Sequence, residues 1–253
     1  MTITFLGTGT SQGVPVIACD CEVCTSTDWH DNRLRTSIMI ESADKTVVID
    51  SGPDFRYQML REKVKHLDAI VFTHEHKDHV AGLDDIRAFN YKQNTPVDVY
   101  ATTRVQDALK REFSYIFAEF KYPGIPQLNM HTIDLEPFDI GSIHFTPVEV
   151  MHYKLPVLGF RINDFTYITD AKTVTETEKQ KIKGSKILVI NALQTQSHIS
   201  HFTLDEALLF AQEIGAEKTY LTHISHRLGK HQVVSQLLPT GIELAYDGLK
   251  LDI

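Results

Sequence analysis

The feature that most constrains this chain is a short run of metal-binding side chains directly after an apolar segment. Residues Ala69-Ile-Val-Phe-Thr73 have the composition of a buried β-strand, and His74-Glu-His76-Lys-Asp78-His79 follows them. In extended backbone the first two histidines point the same way, while the aspartate and the last histidine fall in the following turn. Imidazole and carboxylate groups suit zinc or a neighbouring transition metal. The run therefore predicts a metal site rather than a solvated polar loop.

The same arrangement, a β-rich run that leads into a potential ligand, recurs along the chain. Thr46–Ile49 leads into Asp50, Ile143–Val150 into His152, Phe165–Thr169 into Asp170, and Lys218–Thr222 into His223. Side chains at the ends of neighbouring strands converge on one rim of a sheet. Alone, each of these residues is typical of a surface or a core, but together they supply the ligands that the first motif lacks. We therefore expect one site built from several strand ends.

A second cluster of potential ligands lies near the start of the chain, where Cys19, Cys21 and Cys24 fall within six positions. An odd number of closely spaced cysteines cannot form a disulfide framework and favours metal binding. Three thiolates need a fourth ligand for a closed tetrahedral site, and closed sites are structural rather than catalytic. The loop near residues 19–24 is therefore predicted to hold a structural metal.

The remaining pattern predicts one α/β domain over residues 1–253. The chain is 42% hydrophobic, and no internal repeat or linker divides it. Short β-rich runs alternate with a few helical segments, which favours two sheets packed face to face with helices outside. The runs are Thr2–Leu6, Ser37–Glu41, Thr46–Ile49, Ala69–Phe72, Val97–Ala101, Ile143–Val150, Val157–Ile162, Phe165–Thr169, Lys186–Ile190 and Lys218–Thr222. Two further runs, Ile242–Tyr246 and Leu249–Ile253, flank Asp247-Gly248 and predict a terminal hairpin.

Two segments carry the sequence pattern of a helix start. Thr203-Leu-Asp-Glu206 predicts a capping box, with Gly215 placed to end the helix in a left-handed turn. Thr173-Val-Thr-Glu176 followed by Gly184 predicts a second helix of the same kind.

Charge and hydropathy exclude several classes of protein. The net charge is −8 and no run of five or six basic residues occurs, which argues against a nucleic-acid binder. A small anionic substrate remains compatible, because bound metal ions can reverse the local field. No apolar run approaches the ~18 residues of a membrane-spanning helix. The first basic residue is Arg33, so a signal peptide is not indicated and we expect a cytoplasmic protein.

Taken in order, these ligands resemble the signature of the metallo-β-lactamase superfamily, and the resemblance covers essentially the whole chain. It implies a four-layer αββα sandwich with two zinc or manganese ions at the catalytic site. Di-iron redox members carry Glu in place of His76, so this histidine favours hydrolysis. The implied ligands are His74, His76 and His152 for one metal, Asp78, His79 and His223 for the other, with Asp170 bridging them and Asp50 hydrogen-bonded to the ligand loop.

Three motifs narrow the resemblance to PhnP-type cyclic-phosphate phosphodiesterases. They are Gly7-Thr-Gly-Thr-Ser-Gln-Gly-Val-Pro15, the cysteine triplet, and Leu221-Thr-His-Ile-Ser-His226. This resemblance implies that His226 completes a structural zinc site with the three cysteines. It also implies that His201, within Ser200-His201-Phe-Thr-Leu204, is the general acid, with Asp78 as its assistant. The family suggests a homodimer.

The predicted activity is therefore hydrolysis of a small phosphodiester, such as a cyclic sugar phosphate, by a hydroxide that bridges two metal ions. Two other readings stay open: hydrolysis of a lactone, thioester or other C–O, C–N or C–S bond at the same site, and an accessory protein that keeps the fold without turnover. Processing of tRNA 3′ ends is disfavoured, because the chain has neither a long inserted arm nor a basic patch. Lys154, close to His152, is equally a phosphate anchor or a solvated lysine.

Overall fold

The computed structural model describes residues 1–120 and 122–253. The strands are β1 (Thr2–Gly7), β2 (Ser37–Glu41), β3 (Thr46–Ile49), β4 (Ala69–Val71), β5 (Val97–Ala101), β6 (Leu128–Thr132), β7 (Phe138–Ile140), β8 (Ile143–His152), β9 (Leu155–Ile162), β10 (Phe165–Tyr167), β11 (Ile187–Asn191), β12 (Lys218–Thr222), β13 (Ile242–Leu244) and β14 (Lys250–Asp252). The α-helices are α1 (Phe55–Arg61), α2 (Lys77–Val80), α3 (Arg87–Gln93), α4 (Thr103–Glu112), α5 (Ser114–Phe117), α6 (Glu176–Ile182), α7 (Leu204–Ile214) and α8 (His231–Ser235); short 3₁₀ helices span Trp29–Asp31 and Leu83–Ile86.

The strands form two mixed sheets. The first has the order β14-β1-β2-β3-β4-β5-β6 and the second the order β13-β12-β11-β10-β9-β8-β7. The segment β3-β4-β5-β6 and the segment β10-β11-β12-β13 are parallel, so within each segment the carboxyl ends of the strands meet at one edge. Such an edge is where an α/β sheet can assemble a site from several loops.

Three apolar clusters account for the layers. Residues such as Phe5, Ile38, Phe160 and Tyr167 join the inner faces of the two sheets. A second cluster packs the outer face of the second sheet against helices including α7, and a third packs the first sheet against helices including α1 and α4. These layers form the αββα sandwich that the resemblance implied, and the predicted fold is confirmed. No helix among the described residues is long and apolar enough to span a membrane.

The predicted helix at Thr203 is confirmed, with the capping box formed and Gly215 left-handed at φ 72°. The helix predicted from Thr173 begins later, because Thr175 is the residue whose side chain caps the amide of Glu178. Thr173 instead pairs with Met151 in an isolated bridge.

The predicted terminal hairpin is wrong. β13 pairs with β12 in the second sheet, whereas β14 pairs with β1 in the first, so the segment between them crosses the sandwich. Asp247 explains the crossing, because its carboxylate accepts hydrogen bonds from Thr8 Oγ1 and the Leu34 amide, both at 2.8 Å. Asp247 therefore ties two distant segments instead of closing a tight turn.

Candidate metal centre

The structure brings the predicted catalytic ligands together at the edge where the strands end. His152 is the last residue of β8, and His223 directly follows β12. Asp50, Asp170 and His223 have backbone φ angles of 65°, 57° and 54°. This left-handed conformation costs a non-glycine residue about 1–3 kcal/mol and clusters at functional sites. The backbone thus turns sharply at the positions that supply the site.

The donor atoms of these side chains lie close enough to share metal ions. Three groups each bring three donor atoms within 4.8 Å of one another: His74, His79 and Asp170; Asp78, His79 and His223; and His152, Asp170 and His201. Asp170 Oδ2 is 3.3 Å from both His79 Nε2 and His223 Nδ1. Two groups share Asp170 and two share His79, so the three groups overlap in one centre.

The predicted ligand His76 lies at the exposed rim of this centre. Its ring centroid is 4.6 Å from that of His74 and 5.1 Å from that of His152. It belongs to none of the three donor groups found among the described residues. The structure therefore places His76 next to the centre without bringing its nitrogen atoms into a donor group.

Asp50 orients the ligand loop from beneath. This fully buried carboxylate accepts hydrogen bonds from the Thr73 amide at 2.9 Å and from Thr73 Oγ1 at 2.8 Å. Its Oδ2 also lies 2.7 Å from His79 Nδ1, which assigns the proton of the neutral imidazole to that nitrogen. His79 Nε2 is then a lone-pair donor directed at Asp78 and Asp170, as a metal ligand requires.

The buried histidines fit a divalent cation. His74 Nε2 is buried and has no hydrogen-bond partner among the described residues. A buried nitrogen left unpaired costs about 1–3 kcal/mol, and a metal ion would satisfy it. Burial, with the nearby charge of His79, lowers the pKa of His74 well below its usual value. Burial also lowers the pKa of His223 to about 4. Both imidazoles are therefore neutral near pH 7, which is the form that binds metals.

The carboxylates of the centre attract positive charge. Burial opposes a charge on His79, but the carboxylates of Asp78, Asp50 and Asp170 outweigh it and raise the pKa of His79 well above its usual value. Burial likewise opposes the charge of Asp170, but His223, His79 and His201 lower its pKa well below the usual range. Without metal, a proton on His79 balances these anions, and divalent cations would replace that proton.

His201, predicted as a general acid, lies inside the centre. Its Nε2 is 2.9 Å from Asp170 Oδ1, and its ring stacks on His223 with centroids 4.9 Å apart. Its Nδ1 is 3.0 Å from Ser200 Oγ and 3.2 Å from His198 Nδ1. Because His201 also shares a donor group with His152 and Asp170, the geometry suits either a proton donor or a ligand.

The cysteine loop forms a second, separate donor cluster. The Sγ atoms of Cys19, Cys21 and Cys24 lie 3.3, 3.4 and 3.4 Å from His226 Nδ1. Zinc bond lengths of about 2.3 Å to sulfur and 2.0 Å to nitrogen separate such atoms by about 3.5 Å in a tetrahedron. The Cys24 amide lowers the pKa of Cys21 to about 6, so Cys21 is largely a thiolate near neutral pH. The donor set and its spacing fit a closed zinc site.

Several residues that contact the centre were not predicted from the sequence. Thr10 Oγ1 lies 3.3 Å from His223 Nε2, and Thr169 Oγ1 donates to Asp170 Oδ2 at 2.7 Å. The Ser200 carbonyl accepts from His152 Nδ1 at 2.9 Å. Their positions beside motif residues are the signal that could have found them. Lys154 is exposed, with its Nζ 5.3 Å from the centroid of the Tyr153 ring.

Positive side chains lie close to the loop that carries His201. Burial is the main cause of a lowered pKa at His198, and the charges of Lys172 and Arg227 lower it further. Lys172 is neutralised by Glu206 at 2.7 Å. The positive field of Arg227 therefore reaches the loop after β11, although the chain as a whole has a net charge of −8.

The αββα fold and the overlapping His/Asp donor groups define a metal-dependent hydrolase of the metallo-β-lactamase type. Residues 45–224 match the family described as "Beta-lactamase superfamily domain", and the chain belongs to this family. Within it the chain is close to PhnP: the crystal structure of a diphosphatase from the PhnP family superposes with a TM-score of 0.93 at 42% identity, covering 100% of this chain and 97% of that one. The predicted family resemblance is confirmed.

Two curated relatives show how far the family extends. The octanoyltransferase of Porphyromonas gingivalis is 39% identical over 253 residues, which are 99% of this chain and 51% of the relative. The chain thus spans about half the length of that protein. A ribonuclease Z of a Nostoc species is 26% identical over 169 residues, covering 64% of this chain and 46% of the relative.

Proposed function

We propose that this protein is a binuclear metal-dependent phosphodiesterase acting on a small phosphodiester. The observation that carries the proposal is the placement of Asp170. One carboxylate oxygen lies 3.3 Å from nitrogens of both His79 and His223, and the other lies 2.9 Å from His201 Nε2. A carboxylate shared between two donor groups suits the bridging position of a two-metal site, where the ions lie about 3.5–4 Å apart.

In this proposal the metals are zinc or manganese, held by residues that the strand ends deliver. His74, His76 and His152 hold one ion, Asp78, His79 and His223 hold the other, and Asp170 bridges them. His76 joins the set by turning its exposed side chain inward from the rim. When bound, two such ions lower the pKa of water and neutralise phosphoryl charge.

His201 is proposed to give a proton to the departing oxygen. The Asp170 carboxylate holds its Nε2 at the centre, while Ser200 Oγ contacts its Nδ1 and fixes the plane of the ring. General acid help of this kind is worth about 10²–10⁴-fold when the leaving oxygen is basic. Asp78 assists from its position beside His79, where its Oδ2 lies 3.2 Å from His79 Nε2.

The choice of a phosphodiester rests on two supports. The PhnP-family diphosphatase matches at 42% identity over nearly its whole chain, so likeness extends well beyond the fold. The unneutralised charge of Arg227 near the centre also favours an anionic substrate. An acyl thioester is the second candidate, favoured by the octanoyltransferase relative. That name describes a protein about twice as long, so the activity it states is not necessarily that of the matching half.

A substrate panel tests the proposal. Purified metal-loaded protein is assayed on bis(p-nitrophenyl) phosphate, ribose 1,2-cyclic phosphates, 2′,3′-cyclic nucleotides, a thioester and a lactone. We expect turnover of phosphodiesters that is lost in Asp170→Ala. Turnover of the thioester or lactone alone would favour acyl hydrolysis, and no turnover of any substrate would favour an accessory protein.

Three further assignments stay predictions. The cysteine loop and His226 are proposed to hold one structural zinc ion. The homodimer and the cytoplasmic location rest on the sequence alone.

A further inference from the structure

A cavity of about 510 Å³ lies between the cysteine loop and the loop that follows β11. One wall consists of Cys21, Glu22 and Val23, and another of Thr195 and Gln196. Arg227, with its neighbours His226 and Gly229, closes the remaining side. None of the roles described so far explains why a cavity of this size adjoins the cysteine loop.

The charge in this cavity is positive. Arg227 is exposed, and its guanidinium makes no ion pair or hydrogen bond with the residues that the structure describes. The carboxylate that lines the cavity, Glu22, faces Lys230 at 3.6 Å and is 77% exposed. Thr195 and Gln196 add a hydroxyl and an amide, which donate hydrogen bonds. This combination suits an anion.

The cavity is also within reach of the metal centre. Arg227 follows His223 by four residues, so their Cα atoms are at most about 14 Å apart even in extended chain. On the opposite wall, Gln196 precedes His198 by two residues, and His198 contacts His201. The two loops that surround the metal centre are therefore the same two loops that form the cavity.

We propose that this cavity binds a second anionic group of the substrate, a phosphate monoester, while the phosphodiester lies at the metal centre. The inference rests on the proposed function and names the substrate class. A guanidinium presents a planar fork of N–H donors that matches two phosphate oxygens. Thr195 and Gln196 face the same space and complete the set of donors. The cysteine loop then has a second role, because it forms one wall of a substrate subsite.

Two matched esters test the subsite. Butyl p-nitrophenyl phosphate and 4-phosphobutyl p-nitrophenyl phosphate differ only in a terminal phosphate. We expect wild-type protein to prefer the phosphorylated ester in kcat/KM. Because a hydrogen-bonded contact to a charged group is typically worth about 10- to 100-fold, Arg227→Ala should lower that preference by this factor, mainly through KM. An unchanged preference would overturn the inference.

Further variants separate the subsite from damage to the neighbouring cysteine site. Gln196→Ala lies on the other wall, away from His226, and we expect a smaller loss of preference in the same direction. Lys186→Ala removes an equal charge at the far end of β11, where Lys186 pairs with exposed Asp164 at 2.9 Å, and should keep the preference. Zinc content and melting temperature are measured for each variant. An equal loss of preference in Lys186→Ala would indicate long-range attraction and overturn the subsite.

Direct binding separates this inference from the proposed function. Metal-loaded protein is titrated calorimetrically with inorganic phosphate. We expect a binding component in wild type that weakens about 10- to 100-fold in Arg227→Ala. Its absence in wild type, or an identical isotherm in the variant, would overturn the subsite. Failure of the proposed function would show differently, as no hydrolysis of any phosphodiester by a protein that still binds phosphate through Arg227.

Discussion

At the residue scale, the role of His201 depends on what surrounds its two nitrogens. Nε2 faces the buried carboxylate of Asp170, and Nδ1 faces Ser200 and His198. The loop carrying these residues is held by backbone hydrogen bonds from Phe202 N to Ala171 O and from Leu193 N to Phe202 O. His201 is therefore placed by the same segment that supplies Asp170.

The leaving group distinguishes proton donation by His201 from other roles. We expect His201→Ala to lower turnover of an alkyl phosphodiester by about 10²–10⁴-fold, since an alkoxide needs a proton to depart. The loss on bis(p-nitrophenyl) phosphate should be much smaller, because p-nitrophenolate leaves without one. Equal losses on both substrates, with metal content intact, would indicate substrate positioning instead. Loss of metal would identify His201 as a ligand. His144→Ala, an exposed histidine at the opposite end of β8, is the control.

A second residue-scale prediction concerns acid stability. His231 Nδ1 lies 3.0 Å from Arg33 Nη2 and accepts its proton. Burial and then the charge of Arg33 lower the pKa of His231 from 6.5 to about 4. The unfolded chain binds a proton on this histidine below pH 6.5, whereas the folded chain does so only near pH 4. The free energy of unfolding should therefore decrease as the pH falls between these values.

The test is urea denaturation of wild type and His231→Gln at several pH values in that window. The glutamine amide oxygen can still accept from Arg33 but does not titrate. We expect a shallower loss of stability with acid in the variant. Identical pH dependence in the two proteins would show that His231 does not contribute.

At the scale of elements, sequence predicts strands well where the whole run is apolar and buried. β2, β3, β5 and β12 have the predicted bounds. β6 is different, since it lies at a sheet edge and its residues are half-buried or exposed, so no run of apolar residues marks it. The crossing between β13 and β14 depends on where Asp247 is bound, which local pattern cannot reveal. Tertiary contacts decide such cases.

The cysteine loop carries its own prediction at this scale. Residues 11–28 contain no strand and no α-helix, so their conformation depends on few backbone hydrogen bonds. A structural zinc ion contributes directly to folding free energy. We expect Cys21→Ser to lose this zinc and to melt at a distinctly lower temperature, whereas Ser26→Ala on the same loop should not. An unchanged melting temperature in Cys21→Ser, measured by calorimetry, would contradict a structural role.

At the scale of the whole molecule, one edge of the sandwich concentrates the chemistry. Ligands that are far apart in sequence meet there because parallel strands of both sheets end together. Strand-end aspartates and histidines made most of this centre predictable. Thr10 and Arg227 were not predictable, because nothing in their local sequence indicates contact with His223 or with a cavity. The rim position of His76 depends on side-chain orientation, which spacing does not determine.

The central claim is a two-metal centre bridged by Asp170 beside a separate zinc site. Elemental analysis of purified, metal-loaded protein tests it most directly. We predict three transition-metal ions per chain in wild type and in Asp164→Ala, a control at an exposed aspartate. Asp170→Ala should retain only the ion of the cysteine site and hydrolyse no substrate. Three ions and full turnover in Asp170→Ala, or a wild type with no metal at the His/Asp centre, would contradict the account.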